Sequence, residues 1–407
     1  MRIAMIAGYY PPDVRGGGEI STQLLAQLLA RAGCDVQVIT CGLREEQTID
    51  GPVTVRRMLS PNIYWNYRTR ASLPKKLVWH LGENINPRAR ARLLTSFQEI
   101  RPDLVLTSTI ENFGAEAWLA PASAGIPCIH ILRSYYPFCW RGNAVHKGSN
   151  CEGHCLDCAV LTAGRKRASQ HVNGVVGISR YILARHRDQG FFRSASTALI
   201  PEPISCGDPP RRTRTDAVRR FGYLGVLSRD KGLETLAAAW IKAGTADARL
   251  VIAGTGQPDY EAALRQAFPS DVSFAGWVDS ERYLAELDFL IVPSVWNEPF
   301  GRIVIEAFAQ GVPVIGSRIA GIAETINDGE TGFTFPPGDV DALAATIRMC
   351  ASLSDAGHQR LSERAREDVR RYDSELVGQA HVGFYNSVIR QYRAAVSTPT
   401  AARPALP

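Results

Sequence analysis

The chain has 407 residues, 45% apolar and 21% charged, a balance ordinary for a soluble globular protein with room for two or three cores. No run approaches the ~20 apolar residues of a membrane span, and the apolar stretch in MRIAMIAGYYPP is too short for a secretory signal, so a cytosolic protein is expected. The net charge of +6 is uneven: residues 1–205 carry 24 Lys and Arg against 15 Asp and Glu, and the remainder carries 22 against 25. A basic N-terminal half points to an anionic partner there, a membrane surface or a phosphate-bearing acceptor rather than nucleic acid. The alternative is a solvated Arg-rich face.

In chain order, residues 2–7 read as a buried strand, followed by the turn Gly16-Gly17-Gly18. Ile20, Leu24, Leu25, Leu28 and Leu29 then recur at helical spacing, and Gly33 ends that helix. Residues 36–40, 104–107 and 126–132 read as further strands. Glycines at 16–18 allow close backbone approach to a ligand, but they do not spell G-x-G-x-x-G. His130 falls inside a strand and is expected in the core. The stretch 64–94 mixes Trp65, Tyr67 and Trp79 with Arg68, Arg70, Lys75, Lys76, Arg88, Arg90 and Arg92. It is a candidate for docking on an anionic membrane.

Nine cysteines are present, and four are grouped as Cys139-x11-Cys151-x3-Cys155-x2-Cys158. In a cytosolic chain such a group suggests metal before disulfides, and four thiolates make a candidate structural zinc site. Unliganded thiols or a labile disulfide are the alternatives.

The second half repeats the strand–helix alternation, with strands read at 221–227, 249–253, 272–274, 289–292 and 312–315. Alternation of this kind implies α/β domains with parallel sheets. The organisation read from the sequence is an N-terminal Rossmann-like domain over 1–203 with a Cys-bearing insertion at 137–160. A linker over 204–217 follows, then a second Rossmann-like domain over 218–375. A helix at 376–396 is expected to return to the first domain, ahead of a disordered tail at 397–407. Asp339-Val340-Asp341 imitates a metal-binding D-x-D, but it starts a helix and reads as an N-cap.

The most informative segment is Asn297-Glu298-Pro299-Phe300-Gly301-Arg302-Ile303-Val304-Ile305-Glu306. It follows a strand and opens a helix near Arg302. Two carboxylates eight residues apart can then face one crevice at the carboxyl edge of a sheet, where open α/β sheets bind ligands. Carboxylates there suit sugar hydroxyls, since they accept charge-assisted hydrogen bonds. The alternative is an acid near a helix N-terminus, stabilised by the helix dipole.

With this segment the sequence resembles glycosyltransferase family 4, whose fold is GT-B, two facing Rossmann-like domains. The E-x7-E pattern is Glu298 to Glu306. Further matches are Leu224-Gly225 with Lys231-Gly232, Ala253-Gly254-Thr255-Gly256, Phe274-Ala275-Gly276-Trp277-Val278, Gly311-Val312-Pro313 and Asn327-Asp328-Gly329-Glu330-Thr331-Gly332. The resemblance implies a retaining glycosyltransferase that moves a sugar from a UDP- or GDP-linked donor to a saccharide or lipid-linked hydroxyl acceptor. It implies no catalytic cofactor. Glu298 would meet the transferred sugar and Glu306 the ribose. Amides near Phe300 and Gly301, with Gly17, Gly18, Gly254, Gly256 and Val278, would line the donor. Lys231 would neutralise the diphosphate. The family's Arg after the first glycine is replaced here by Val226, and Arg229 is the substitute. Its His-Asp pair is replaced by Arg133-Ser134, and Arg133 becomes a candidate phosphate or acceptor contact. A nucleotide-sugar epimerase on the same fold, or a non-catalytic nucleotide-sugar or zinc-binding protein, are the rival readings.

Overall fold

The apolar segment after Met1 forms β1 (Arg2–Ile6), with four of its five residues buried. Burial on both faces turns a strand into a continuous apolar run, as parallel sheets covered by helices require. In the computed structural model, which describes residues 1–14, 16–67, 71–207 and 218–397, the chain divides into two units. Unit 1 comprises Met1–His146, Cys151–Pro203 and the chain from Glu375 onward; unit 2 comprises Lys147–Asn150 and Ile204–Ser374. Most of the expected linker, residues 208–217, and the tail from residue 398 lie outside the described residues, as do Arg68 and Arg70.

The strands of unit 1's sheet that follow β1 are β2 (Asp35–Gly42), β3 (Glu46–Asp50), β4 (Val53–Leu59), β5 (Leu104–Thr107) and β6 (Cys128–Leu132). Next come a short hairpin, β7 (Val145–His146) and β8 (Ser149–Asn150), and then β9 (Gly174–Gly177) and β10 (Ser196–Leu199). The eight-stranded sheet runs β10-β9-β6-β5-β1-β2-β4-β3, and β3 alone is antiparallel to its neighbour. The edge strands β3 and β10 escape the sequence reading because they are half exposed and polar. In β4 the period-2 burial of Val53, Val55 and Arg57 is disguised by the arginines. The helix Ser374–Ser397 seats Tyr385 and Val388 in the core of unit 1. Gly174 of β9 makes that close approach feasible, since a Cβ there would lie 2.9 Å from the Val388 side chain.

Unit 2 is built from β11 (Arg219–Leu224), β12 (Ala248–Ala253), β13 (Ser273–Gly276), β14 (Phe289–Val292), β15 (Val314–Ser317) and β16 (Gly332–Phe335). All are parallel, in the order β13-β12-β11-β14-β15-β16. The chain starts at the centre, builds outward one way, then returns beside β11 and builds outward the other way. This is the doubly wound order of Rossmann-like sheets, and its direction reverses between β11 and β14. Phe221 of β11 stacks on Phe289 of β14 at 5.5 Å, with Trp240 set edge-on to Phe221 at 5.6 Å, so the reversal sits over an aromatic part of the core.

At the carboxyl ends of β11 and β12 two backbone turns pass almost in contact. Gly225 donates its N–H to Ala253 O at 3.1 Å, and Gly254 donates to Gly276 O at 2.6 Å. Gly254 has φ +128°, and a Cβ on it would lie 1.8 Å from the carbonyl oxygen of Gly225. Both the dihedral and the contact exclude other residues. Gly254→Ala is therefore expected to destabilise unit 2 by about 3 kcal/mol, seen as an earlier urea transition. An unshifted midpoint would show that the turn relaxes at no cost.

Candidate active site

The two loops that leave the reversal point of unit 2 follow β11 and β14. The first turns through Leu227, makes one 3-10 turn at Arg229–Lys231, and starts the helix Leu233–Ala243 at Gly232. Gly232 has φ +71°, and a Cβ there would meet Pro293 O at 1.9 Å, so the first loop lies directly against the second. The second loop is held by one atom of the first. Asp230 O accepts from Val295 N–H at 3.0 Å, from Trp296 N–H at 3.1 Å and from the Ser294 hydroxyl at 3.2 Å. Glu298 then turns inward, its own N–H donating to Trp296 O at 2.8 Å.

This places Lys231 against Glu298. The ammonium donates to Glu298 Oε1, and it also lies 5.1 Å from the centroid of the Trp296 ring. Both side chains are mostly covered, at 24% and 15% exposure, yet neither is sealed. Gly321 supports the loop from below: its N–H donates to Glu298 O at 2.9 Å, and a Cβ there would lie 2.5 Å from the Phe300 Cα. Gly301, at φ +83°, opens the helix Arg302–Ala309. Glu306 is one turn into that helix and accepts from Arg302 Nε at 2.7 Å. The helix start leaves amide N–H groups unpaired by the helix, a positive end suited to anions.

Other expected positions are distributed around this centre. Gly256 backs onto the first loop, where Leu227 N–H donates to Thr255 O at 2.9 Å. Val278 lines a 610 Å³ cavity with Ser273, Ala275, Tyr283 and three arginines, Arg220, Arg249 and Arg282. Arg229 is not gathered with Lys231. Its guanidinium is 83% exposed, pairs with Glu234 at 3.3 Å and lies over the Tyr260 ring. Asp339 caps the helix Val340–Ala351 by accepting from Ala342 N–H at 2.9 Å, as the D-x-D reading required.

In unit 1 the sheet reverses between β1 and β5. Gly16 precedes the helix Gly17–Arg31, and its N–H donates to Glu19 Oε2 at 2.9 Å. A Cβ at Gly17 or Gly18 would meet nothing within 4 Å, so packing does not demand glycine at either position. Thr22 donates to Gly18 O at 2.8 Å and reaches Ser108 of the β5 loop at 3.3 Å. Arg133 donates to Ser108 Oγ at 2.8 Å and to both carboxylate oxygens of Glu202, at 2.6 and 3.3 Å, with both residues about 95% buried. The expectation that Arg133 reaches out to phosphate is corrected in this respect: a bidentate buried pair commits the guanidinium to Glu202. His130 is core, set between Trp118 and Phe192 and joined to Thr107 Oγ1 at 2.8 Å, and burial holds its pKa well down.

The grouped cysteines are neighbours but do not form one cluster. The Cys139 and Cys158 thiols are hydrogen-bonded to each other, and the Cys155 thiol to that of Cys158. The Cys158 bond, opposed by burial and helped by the amides of Ala144, Arg141 and Gly142, lowers Cys139 to about 6. Cys151 lies close enough to feel the charge of Cys139 and Cys155. Among the described residues, the ligand atoms that all fall within 4.8 Å of one another are instead those of His146, Cys155 and Asp157.

Sequence reasoning missed the part played by Asp230, Ser294 and Trp296, whose contributions run mainly through backbone atoms. It also missed the pairing of the basic stretch. Arg90 is tied to the buried Glu116 at 2.7 Å, and Arg92 to Glu45 at 2.8 Å. Lys75, Lys76 and Arg88 remain exposed. The helix Leu73–Gly82 also shows Leu73, Leu77 and Leu81 outward, with Ile85 beyond its end, a row at intervals of four.

Comparison with known proteins gives the family and the fold. Residues 16–203 match the family described as glycosyl transferase 4-like domain, and residues 218–352 match glycosyl transferases group 1. An uncharacterized glycosyltransferase of Methanocaldococcus jannaschii is 25% identical over 95% of this chain and 98% of its own. Sucrose-phosphate synthase from Thermosynechococcus elongatus superposes with a TM-score of 0.74 at 23% identity, covering 97% of this chain and 99% of its own. Anabaena HepE in complex with UDP superposes with a TM-score of 0.69 at 18% identity, covering 95% of this chain and 100% of its own. The chain belongs to the group 1 glycosyltransferases and has the GT-B fold of two Rossmann-like domains. It is a glycosyltransferase. No helix of the described residues is long and apolar enough to cross a membrane.

Proposed function

We propose that the protein transfers a sugar, with retention, from a nucleoside diphosphate donor held by unit 2 to a hydroxyl of a saccharide or lipid-linked acceptor. The observation that carries this reading is the Lys231–Glu298 pair, set by two loops at the reversal point of the unit 2 sheet. A sugar diphosphate carries the partner that each member seeks, an anion for the ammonium and hydroxyl donors for the carboxylate. Glu306 takes the ribose, and the amides at Phe300 and Gly301 take phosphate oxygens. Gly254, Gly256 and Val278 border the base. Gly17 and Gly18 of unit 1, where the fold itself does not require glycine, let the backbone come close to substrate. The binding of UDP by HepE supports a uridine donor.

The chemistry follows from charge. The bond from the anomeric carbon to the diphosphate oxygen breaks, and the acceptor oxygen bonds the same face of that carbon. The acceptor proton passes to the departing diphosphate oxygen. The residues assist by stabilising the negative charge that develops on that oxygen, the task of Lys231 and the helix-end amides. Arg229 is exposed enough to join them on release from Glu234.

Two further assignments accompany this one. The neighbouring thiols of Cys139, Cys151, Cys155 and Cys158 are the ligands of a structural zinc that would fold this segment rather than take part in catalysis. The row Leu73, Leu77, Leu81 and Ile85, flanked by Lys75 and Lys76, fits peripheral binding to the anionic cytoplasmic face of a membrane, where a lipid-linked acceptor would be met.

Glu306→Ala is expected to weaken UDP binding about 10- to 100-fold, the loss of one charged hydrogen bond, while Glu298→Ala lowers turnover with little change in UDP affinity. Calorimetry and hydrolysis of a panel of UDP-, GDP- and ADP-sugars read both, and the reverse pattern exchanges the two roles. Purified protein is expected to hold about one zinc per chain, lost in Cys155→Ser; elemental analysis showing none, with four titratable thiols, refutes the site. Affinity for phosphatidylserine vesicles, read by co-sedimentation, should fall roughly 30-fold in Lys75→Ala/Lys76→Ala, at ~1 kcal/mol per basic residue, and fall again in Leu77→Ser/Leu81→Ser. Equal recovery on neutral and anionic vesicles at low salt leaves a soluble acceptor.

A further inference from the structure

The tightly turned hairpin β7–β8 lies in the sequence between Cys139 and Cys151. Its two turn residues, Lys147 and Gly148, have φ of +50° and +80°, the left-handed pair that a two-residue hairpin turn needs. Its tip, Lys147–Asn150, groups with unit 2, although the chain on both sides of it belongs to unit 1. One side chain of the tip is bonded to the loop before Glu298. Asn150 Nδ2 donates to Val295 O at 2.7 Å, and Asn150 Oδ1 accepts from Asn297 N–H at 3.0 Å.

A primary amide that donates to one residue and accepts from the next but one reproduces what a neighbouring strand would offer across Trp296. Among the described residues, no strand pairs with the loop that carries Glu298. Within this stretch the amides of Val295 and Trp296 donate to Asp230 O, and Trp296 O accepts from Glu298 N–H at 2.8 Å and from the Ser294 hydroxyl at 3.2 Å. Asp230 therefore holds the loop on one side, and Asn150 supplies the pairing for the carbonyl and the amide that Asp230 does not reach. Asn297 is the residue immediately before Glu298, so the amide bound by Asn150 lies in the peptide next to the one that carries the Glu298 nitrogen.

We propose that Asn150 is a positioning residue for Glu298: its carboxamide fixes the Val295–Asn297 backbone and so sets the carboxylate against Lys231 for the donor sugar. The inference rests on the reading that Glu298 contacts the transferred sugar. It assigns to the Cys-flanked segment a part in the reaction that a purely structural knuckle would not have. The ends of that segment are themselves secured, since Cys151 N–H donates to Ala144 O at 2.7 Å and Arg185 donates to Cys151 O at 2.7 Å.

The test compares Asn150→Ala and Asn150→Asp with the wild type in the full chain. Hydrolysis and transfer are followed with UDP-glucose, UDP-galactose, UDP-N-acetylglucosamine and GDP-mannose. Asp is isosteric with Asn, but its carboxylate cannot donate and would face Val295 O. Both variants are therefore expected to lose about 10-fold in kcat, with UDP affinity changed less than about 2-fold, since the interaction acts on the sugar end of the donor. Amide hydrogen exchange in a peptide spanning residues 293–300 should accelerate, while a peptide from β11 stays unchanged. In a Glu298→Gln background the Asn150 substitutions should cost less than about 2-fold more, because a residue that acts through Glu298 has nothing left to position. Full kcat in Asn150→Asp, unchanged exchange at 293–300, or an equal loss in both backgrounds overturns the proposal. Full turnover by Glu298→Gln alone overturns the role given to Glu298 instead, and the exchange measurement then decides whether Asn150 orders the loop.

Discussion

The carbonyl oxygen of Asp230 accepts from Val295 N–H, Trp296 N–H and the Ser294 hydroxyl, all between 3.0 and 3.2 Å. Those three bonds join the loop after β11 to the loop after β14 at the point where the sheet of unit 2 changes direction. A doubly wound sheet parts its loops there, and a crevice opens at the carboxyl ends of the strands. Parted loops carry no fixed chemistry. The Asp230 carbonyl draws them together again, leaving room for Lys231 and Glu298 to face each other while still partly open to solvent. Glycine makes this approach feasible, because Gly232 and Gly321 lie where a Cβ would strike the backbone of the other segment.

The same logic is visible in unit 1 with different parts. There a chain of side-chain bonds runs from Gly18 O through Thr22 and Ser108 to Arg133 and Glu202. It connects the loop after β1 to the loop after β5 and to the turn after β6. Burying an arginine that deeply is costly unless its charge and its donors are met, and Glu202 meets both. Arg133 thus stands where the family places a His-Asp pair, but it braces the loops instead of presenting a titratable group to substrate.

Charge in this protein is less free than composition suggests. The N-terminal half is strongly basic, yet Arg90, Arg92 and Arg133 are each paired with an acid. Within the described part of the stretch 64–94, Lys75, Lys76 and Arg88 stay exposed, beside a row of exposed aliphatic side chains. An apolar row with two lysines is a different kind of surface from a broad basic field, since it engages an interface by burial as well as by attraction.

The sequence by itself determined the alternation of strands and helices, the parallel α/β class, the carboxylate pair Glu298 and Glu306, Lys231 before its glycine, the core place of His130 and the capping role of Asp339. Each of these depends on local periodicity, or on a residue type whose use is nearly forced by its neighbours in the chain. The polar edge strands β3 and β10 left no such trace, because half-exposed strands need little apolar content. Only the tertiary structure decided that Lys231 meets Glu298 while Arg229 turns to Glu234, that Arg133 is spent on Glu202, and that Asn150 serves the loop of Glu298 from 147 positions away. Those choices depend on pairs of side chains far apart in the chain, on hydrogen bonds to backbone atoms, and on which loops a doubly wound sheet brings side by side. Backbone atoms are common to all residue types, so no sequence pattern announces them.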